Sequence, residues 1–320
     1  MKRARLIYNP SSGREQLKKN LAYILNRLEQ AGYEASAHAT TPEEGCAIRA
    51  ARQAGERGFD LVIAAGGDGT IFEVVNGLAD LETRPMLGII PAGTTNDFAR
   101  ALEISRDIEQ AMNVICDGHY EPIDIGRMNN KYFTNIAAAG TLTELTYEVP
   151  AKLKTMVGQM AYYIKGIEKL PQVKPTAVRI EYDGKLFEGE IMMFLVANTN
   201  SVGGFEKLAP SASLQDGMFD FLVVKKTSFP EFVHLASLAL RGEHINHSKL
   251  LYVKANRIKV ELLENHEMQL NLDGERGGVL PAEFVNMYHH FQLLMPKNRK
   301  KSASIEENKK RCRTRTSLFL

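Results

Sequence analysis

The first 126 residues alternate between strand-like and helix-like periodicity, and this rhythm restricts the fold more than any other feature of the chain. RARLIY reads as a strand. Glu15 to Ala31 then places Leu17, Leu21, Ile24, Leu25 and Leu28 on one helical face. YEASAHAT is a second strand, and Pro42 opens a helix expected to run to Arg57. DLVIAA is apolar almost throughout, as a strand covered on both faces of a parallel sheet requires. Thr70 to Leu81 is helical and MLGII is a strand. Asn96 to Leu102 and Ile108 to Cys116 are helical, and YEPIDIG closes the series. Strand and helix in turn predict a doubly wound α/β domain.

The rhythm changes near Asn129. KYFTNIAAAG, TAVRIEYDG, KLFEGEIMMFLVANT, MFDFLVVKK, LLYVKANRIKVEL, MQLNLDG and FVNMYHHFQLLM follow one another as strands. Asp183-Gly184 marks a hairpin between two of them. An antiparallel β-sandwich is expected, interrupted by helices over roughly Lys152 to Leu170 and Ser228 to Leu240. A length of 320 residues suits two domains. Their expected limits are 1–127 and 128–296, with a basic tail at 297–320 and the end of the second domain returning towards the first.

Charge is unevenly placed. Residues 297–320 hold nine Lys or Arg and two Glu, +7 against a whole-chain net of +2, so the body carries −5. The tail lacks apolar periodicity and reads as a solvated, disordered end. Near an anionic surface each basic residue would also contribute about 1 kcal/mol of attraction. Cys46, Cys116 and Cys312 have no metal-ligand or disulfide spacing, which suggests a reduced, cytoplasmic setting. The longest apolar run, Ile191 to Ala197, is strand-sized, so no membrane span is expected.

Chemistry concentrates at strand ends. DLVIAA leaves through Gly66-Gly67-Asp68-Gly69-Thr70 straight into a helix. Glycines let backbone N–H groups approach an anion, and the helix points its positive end to the same place. Such a turn is a phosphate cradle. Asp68 inside it would repel a phosphate unless a divalent cation lay between. A plain tight turn before a helix would account for this stretch alone equally well. A second turn of the kind follows in GIIPAGTTNDFARAL, with Gly93, Thr94, Asn96 and Asp97. The first strand ends in Asn9-Pro10-Ser11-Ser12-Gly13, and EPIDIG brings Asp124. Convergence of four such ends points to a phosphate ligand with a divalent metal. No GxxxxGK[ST], GxGxxG or protein-kinase signature set is present, which excludes the P-loop and argues against hydride transfer on a dinucleotide fold. His244 and His247 lack a third ligand and read as a surface loop.

NPSSG at 9–13, GGDGT at 66–70, PAGTTNDFARAL at 91–102 and PIDIG around Asp124 resemble the bacterial soluble lipid kinases of the diacylglycerol kinase catalytic-domain family. The resemblance continues through GFEKLAP, LQDGMFDFLVV, RGEH and LNLDGERGG, and so covers about residues 1–296. NAD kinases share a GGDG but lack the NPxSG start and this second domain. The resemblance implies a nucleotide-binding first domain and a lipid-substrate second domain. It implies that ATP phosphorylates the free hydroxyl of 1,2-diacylglycerol to give phosphatidic acid, with Mg2+. Asn9, Pro10, Ser11, Ser12, Gly13, Thr40, Gly66, Gly67, Asp68, Gly69, Thr70, Ile71, Phe72, Thr94 and Asn96 would meet ATP. Asp68, Asp97 and Asp124 would gather around catalytic Mg2+ or its waters. Ser213, Asp216 and Met218 would hold a structural Mg2+. Glu275 would be the general base, and Asp273 on the same turn could do the same work. Read without the resemblance, LDGERGG is simply a hairpin.

Diacylglycerol is a membrane lipid, so peripheral contact with the inner, anionic membrane face is expected. The stripe Leu153, Met156, Val157, Met160, Ile164 and Ile167, flanked by lysines, and the basic tail are the two candidate contacts. A stripe of this kind more often packs on its own sheet. Homodimers occur in the family, and nucleic acid is not an expected partner. Rival functions are a kinase of another lipid alcohol (sphingoid, ceramide-like or phosphatidylglycerol) and a nucleotide-binding regulator without turnover.

Overall fold

The computed structural model describes residues 1–140, 175–200 and 207–297. The expected helix over 152–170 and the tail from 298 onward lie outside the described residues. Strands β1 (Lys2–Tyr8), β2 (Tyr33–Ala39), β3 (Leu61–Gly66) and β4 (Met86–Pro91) form a parallel sheet in the order β4-β3-β1-β2. All six residues of β3 are buried, which is why its sequence is continuously apolar. Helices α1 (Gln16–Lys19), α2 (Leu21–Gln30), α3 (Cys46–Glu56), α4 (Asp68–Leu78), α5 (Asp97–Ala101) and α6 (Ile108–Asp117) connect the strands.

Two helix expectations need correction. The helix from Glu15 breaks at Asn20, where the Gln16 carbonyl accepts from both the backbone N–H (3.0 Å) and the side-chain Nδ2 (2.9 Å) of Asn20. The helix expected from Pro42 starts only at Cys46, after Gly45 in the left-handed region at φ +71°.

The second half contains β5 (Tyr120–Met128), β6 (Lys131–Phe133), β7 (Ile136–Gly140), β8 (Thr176–Tyr182), β9 (Lys185–Ala197), β10 (Phe219–Lys225), α7 (Phe229–Arg241), β11 (Leu250–Ala255), β12 (Arg257–Leu262), β13 (Gln269–Leu272), β14 (Glu275–Val279) and β15 (Ala282–Leu294). The fold is an α/β domain followed by a β-sandwich. Pairing is antiparallel in the second half, and Asp183-Gly184 turns β8 into β9 as the sequence predicts. KYFTNIAAAG divides at Thr134-Asn135 instead of forming one strand. LLYVKANRIKVEL divides at Asn256, so that β11 pairs with β10 while β12 pairs with β8 and β15. Backbone N–H groups of Asn256 and Arg257 bond the Asp183 carboxylate, both at 3.0 Å, and fix that division. His244, expected on a surface loop, is buried and its Nε2 bonds Leu208 O at 2.9 Å.

Two features join the halves. β15 starts beside β12 and ends beside β4 (Leu293 with Leu87), and β5 pairs along most of it. The other is α4. Ile71, Val74, Val75 and Leu78 pack into the first core, while Phe72 enters the second core with Phe133, Phe194 and Phe284. Asn76 Nδ2 donates to Tyr132 O (2.9 Å) and Asn76 Oδ1 accepts from Tyr132 N–H (2.9 Å). Tyr132 OH donates to Asp80 (2.7 Å), and His290 Nε2 bonds Ala79 O (2.9 Å). Asn76→Ala should therefore lower unfolding free energy by about 2–3 kcal/mol, since it removes three side-chain bonds, one to Phe72 O and two to the Tyr132 backbone, and strands both Tyr132 groups. Urea unfolding measures this; a loss under about 0.5 kcal/mol would contradict the latch.

Candidate active site

The site is assembled from loops at the carboxyl ends of β1, β3 and β4, where open α/β sheets place their ligands. Asn9 N–H bonds Ala65 O (3.0 Å), and Asn9 Oδ1 accepts from the Ser11 N–H (3.0 Å) and hydroxyl (2.7 Å). This side-chain turn sets Pro10, Ser11 and Ser12 in place. Gly13 has φ +59°, and a Cβ there would lie 3.2 Å from Ala92 O. Thr40 N–H bonds Tyr8 O at 2.9 Å and brings the end of β2 alongside.

The two glycine turns touch through their backbones. A Cβ on Gly93 would lie 2.6 Å from the Gly67 Cα. Gly66 O accepts from Ala92 N–H (2.8 Å) and Asn96 Nδ2 (3.1 Å). Asn96 is buried in the left-handed conformation, and its Oδ1 has no hydrogen-bond partner. Asp68 is half-buried at the first position of α4, and Thr95 OH donates to its Oδ2 (3.0 Å). Thr94 is exposed. The Thr94 and Thr95 carbonyls are held by Arg106 (2.7 Å) and Arg100 (2.8 Å), and Arg100 also pairs with Asp97 (3.1 Å). Ile71 and Phe72 are committed to the two cores, the Ile71 N–H bonds Gly67 O (3.2 Å) and Phe72 O accepts from Asn76 Nδ2 (2.8 Å).

Glu275 reaches this cluster from the other half of the molecule. It is the exposed first residue of β14, and a Cβ on Gly69 would lie 2.9 Å from its Oε1. Glycine at 69 lets the carboxylate lie close to the turn, and the N-terminal end of α4 favours its charge. Asp273 does not share this position. Its Oδ2 accepts from the Thr134 N–H (2.6 Å) and hydroxyl (2.9 Å), its Oδ1 from the Asn135 (2.9 Å) and Ile136 (2.8 Å) N–H groups. With both oxygens so engaged, Asp273 is the less available of the two carboxylates expected as a base. Burial pushes its pKa up to about 6, against the pull of these donors.

Two metal expectations also change. Among the described residues no three His, Cys, Asp or Glu side chains cluster as metal ligands. Asp124 is fully buried and turned elsewhere: its oxygens accept from Gly217 and His289 N–H groups, each at 2.7 Å, and burial raises its pKa. It therefore braces the 214–217 loop on β15 and does not join Asp68 and Asp97. In the Ser213–Met218 loop, Asp216 already pairs with an internal cation, Lys254 Nζ, at 2.6 Å. Lys254 also bonds Ser211 O (2.8 Å), so a divalent ion on Asp216 would have to displace it. Thr95 and Arg100 lie inside the PAGTTNDFARAL motif, which is the signal that locates them, whereas no spacing signal points to Lys254.

The profile of the diacylglycerol kinase catalytic domain matches residues 3–128, and that of the YegS C-terminal NAD kinase beta sandwich-like domain matches 139–295. A diacylglycerol kinase of Bacillus subtilis (strain 168) is 64% identical over 300 residues, 93% of this chain and 98% of that protein. One of Staphylococcus haemolyticus (strain JCSC1435) is 53% identical over 92% of this chain and 88% of its own. The crystal structure of a diacylglycerol kinase from Bacillus anthracis str. Sterne superposes with a TM-score of 0.76 at 32% identity, covering 92% of this chain and 98% of that one.

Gly93→Ala should cost about 1–3 kcal/mol in urea unfolding, because backbone faces the new methyl. Gly69→Ala should cost under about 0.5 kcal/mol, because it meets only the movable end of Glu275; equal losses would contradict the two contacts. Asp273 also predicts a pH effect. Its folded pKa of about 6 lies above the ordinary 3.8, so its stabilising contribution is complete below 3.8 and is lost as pH rises through 6. The unfolding free energy of wild type relative to Asp273→Asn should fall across that window; a flat difference would contradict the raised value.

Proposed function

This chain belongs to the diacylglycerol kinase catalytic-domain family, and we propose that it transfers the γ-phosphoryl group of ATP to the free hydroxyl of 1,2-diacylglycerol, forming phosphatidic acid. The observation that carries this is the approach of Glu275 to Gly69, a carboxylate of one domain against the glycine turn of the other. The relatives named diacylglycerol kinase, matched over nearly their whole length, supply the substrate.

The backbone of Gly66 to Thr70, with the first turn of α4, receives the phosphates; Asn9 to Gly13, Thr40, Thr94 and Asn96 line the approach. Glu275 takes the proton from the lipid hydroxyl as its oxygen bonds to the γ-phosphorus and the bond to ADP breaks. Magnesium fits the donor set: Asp68 and Asp97 are hard carboxylates beside the cradle, and the unpartnered Asn96 Oδ1 is a further hard oxygen aimed into the turn. When bound, Mg2+ neutralises the charge between Asp68 and the phosphates. Among the described residues no helix is long and apolar enough to cross a membrane. The lipid is met by peripheral contact at the inner membrane face.

Wild type should move label from ATP to dioctanoylglycerol in mixed micelles with magnesium, and Glu275→Ala should lower kcat by about 10²–10⁴. Absence of transfer by wild type would overturn the substrate. Full activity in Glu275→Ala would overturn the base.

A further inference from the structure

We propose that Asp273 is a positioning residue, whose carboxylate locks the Asp273–Gly274 turn onto the β6–β7 junction and thereby holds Glu275 against Gly69. The proposal deepens the kinase reading and rests on Glu275 as the base.

The need for a lock follows from the topology. β14 pairs with β13 and ends the strand order of the sheet, so it is an edge strand among the described residues. It carries two glycines, Gly277 and Gly278, and its register with β13 shifts between Leu270 and Asn271. Glycine-rich edge strands are poor rulers. Glu275 nonetheless has to sit at the phosphate cradle to within a fraction of an ångström, because a misplacement of about 1 Å costs on the order of a hundredfold in rate.

The turn supplies what the strand lacks. Asp273 and Gly274 both have positive φ, +52° and +95°, as a two-residue hairpin turn of this twist demands. Three successive N–H groups, from Thr134, Asn135 and Ile136, converge with the Thr134 hydroxyl on the Asp273 carboxylate. This is an anion nest filled by the chain's own side chain, with charge-assisted bonds. Asp273 N–H bonds Ile136 O (3.0 Å), and Gly274 N–H bonds the Asn271 side chain (2.9 Å), closing the turn from both sides.

The nest is itself fixed. Asn198 is fully buried; its Nδ2 donates to Thr134 O and to Asp124 O, both at 3.0 Å, and its N–H to Asn135 O at 2.9 Å. A continuous set of bonds therefore runs from β5, through the end of β9 and the β6–β7 junction, to the turn two residues before Glu275. The break of KYFTNIAAAG at Thr134-Asn135 has a purpose here, since a continuous strand would spend those N–H groups on a neighbour.

A double-mutant cycle in the micelle assay tests this with Asp273→Asn, Glu275→Ala and the pair. Asparagine keeps the volume but turns an amide onto donors. In the wild-type background Asp273→Asn should lower kcat by about tenfold or more, with KM for ATP within about twofold. In the Glu275→Ala background the same change should cost less than about twofold, because it acts through a carboxylate already gone. Equal losses in both backgrounds, or an unchanged kcat, would overturn the positioning role while leaving the kinase intact. Wild-type activity in Glu275→Ala would instead overturn the base and this proposal together. Should Asp273→Asn fail to fold, Thr134→Val removes only the hydroxyl donor. It should lower kcat by about two- to fivefold in wild type and leave Glu275→Ala unchanged, and equal losses would again overturn the role.

Discussion

Phe72 leaves the first turn of α4 for the core of the opposite domain, three residues after Gly69 receives the carboxylate of Glu275. The helix that follows the glycine turn is thus packed on both sides, and its entry point is fixed relative to both halves. Asn76, Ala79 and Asp80 repeat the contact further along, through Tyr132 and His290. In the proposed reaction, this packing sets the distance between a nucleotide held by one domain and a hydroxyl brought by the other. Phosphoryl transfer depends on that distance more than on covalent assistance.

The electrostatics follow from the same helix. Two carboxylates, Asp68 and Glu275, stand at its positive end, where the aligned peptide dipoles favour them. The same end attracts phosphate. The proposed Mg2+ would reconcile the three, and the buried Asn96 Oδ1 beside Gly93 is an acceptor without a donor. Acidic groups away from the cradle are neutralised internally instead. Asp216 has Lys254, Asp124 has two backbone N–H groups, and Asp273 has a nest of three and a hydroxyl.

What was legible in the sequence was local. The alternation of periods gave the parallel sheet because strand and helix each write their own spacing along the chain. The glycine turns were legible because a phosphate approach and a backbone-to-backbone contact both exclude a Cβ, as Gly67 against Gly93 makes plain. Long-range partners were not legible. Nothing near Asn256 in sequence says that Asp183 will take its N–H and split a strand. Nothing near Asp124 says that Gly217 and His289 will claim its oxygens. Asp273 and Glu275 lie two residues apart in one motif, yet the turn sends one to the β6–β7 junction and the other to Gly69. Residue type could not separate them; the direction of the turn did.

The most direct test of this arrangement is a crystal structure of the protein with magnesium and a non-hydrolysable ATP analogue. The γ-phosphate should lie against the Gly67–Thr70 backbone with the Glu275 carboxylate facing it across the cleft, and Asp273 still in its nest. A nucleotide bound away from this turn, or Glu275 directed away from the γ-phosphate, would contradict the account.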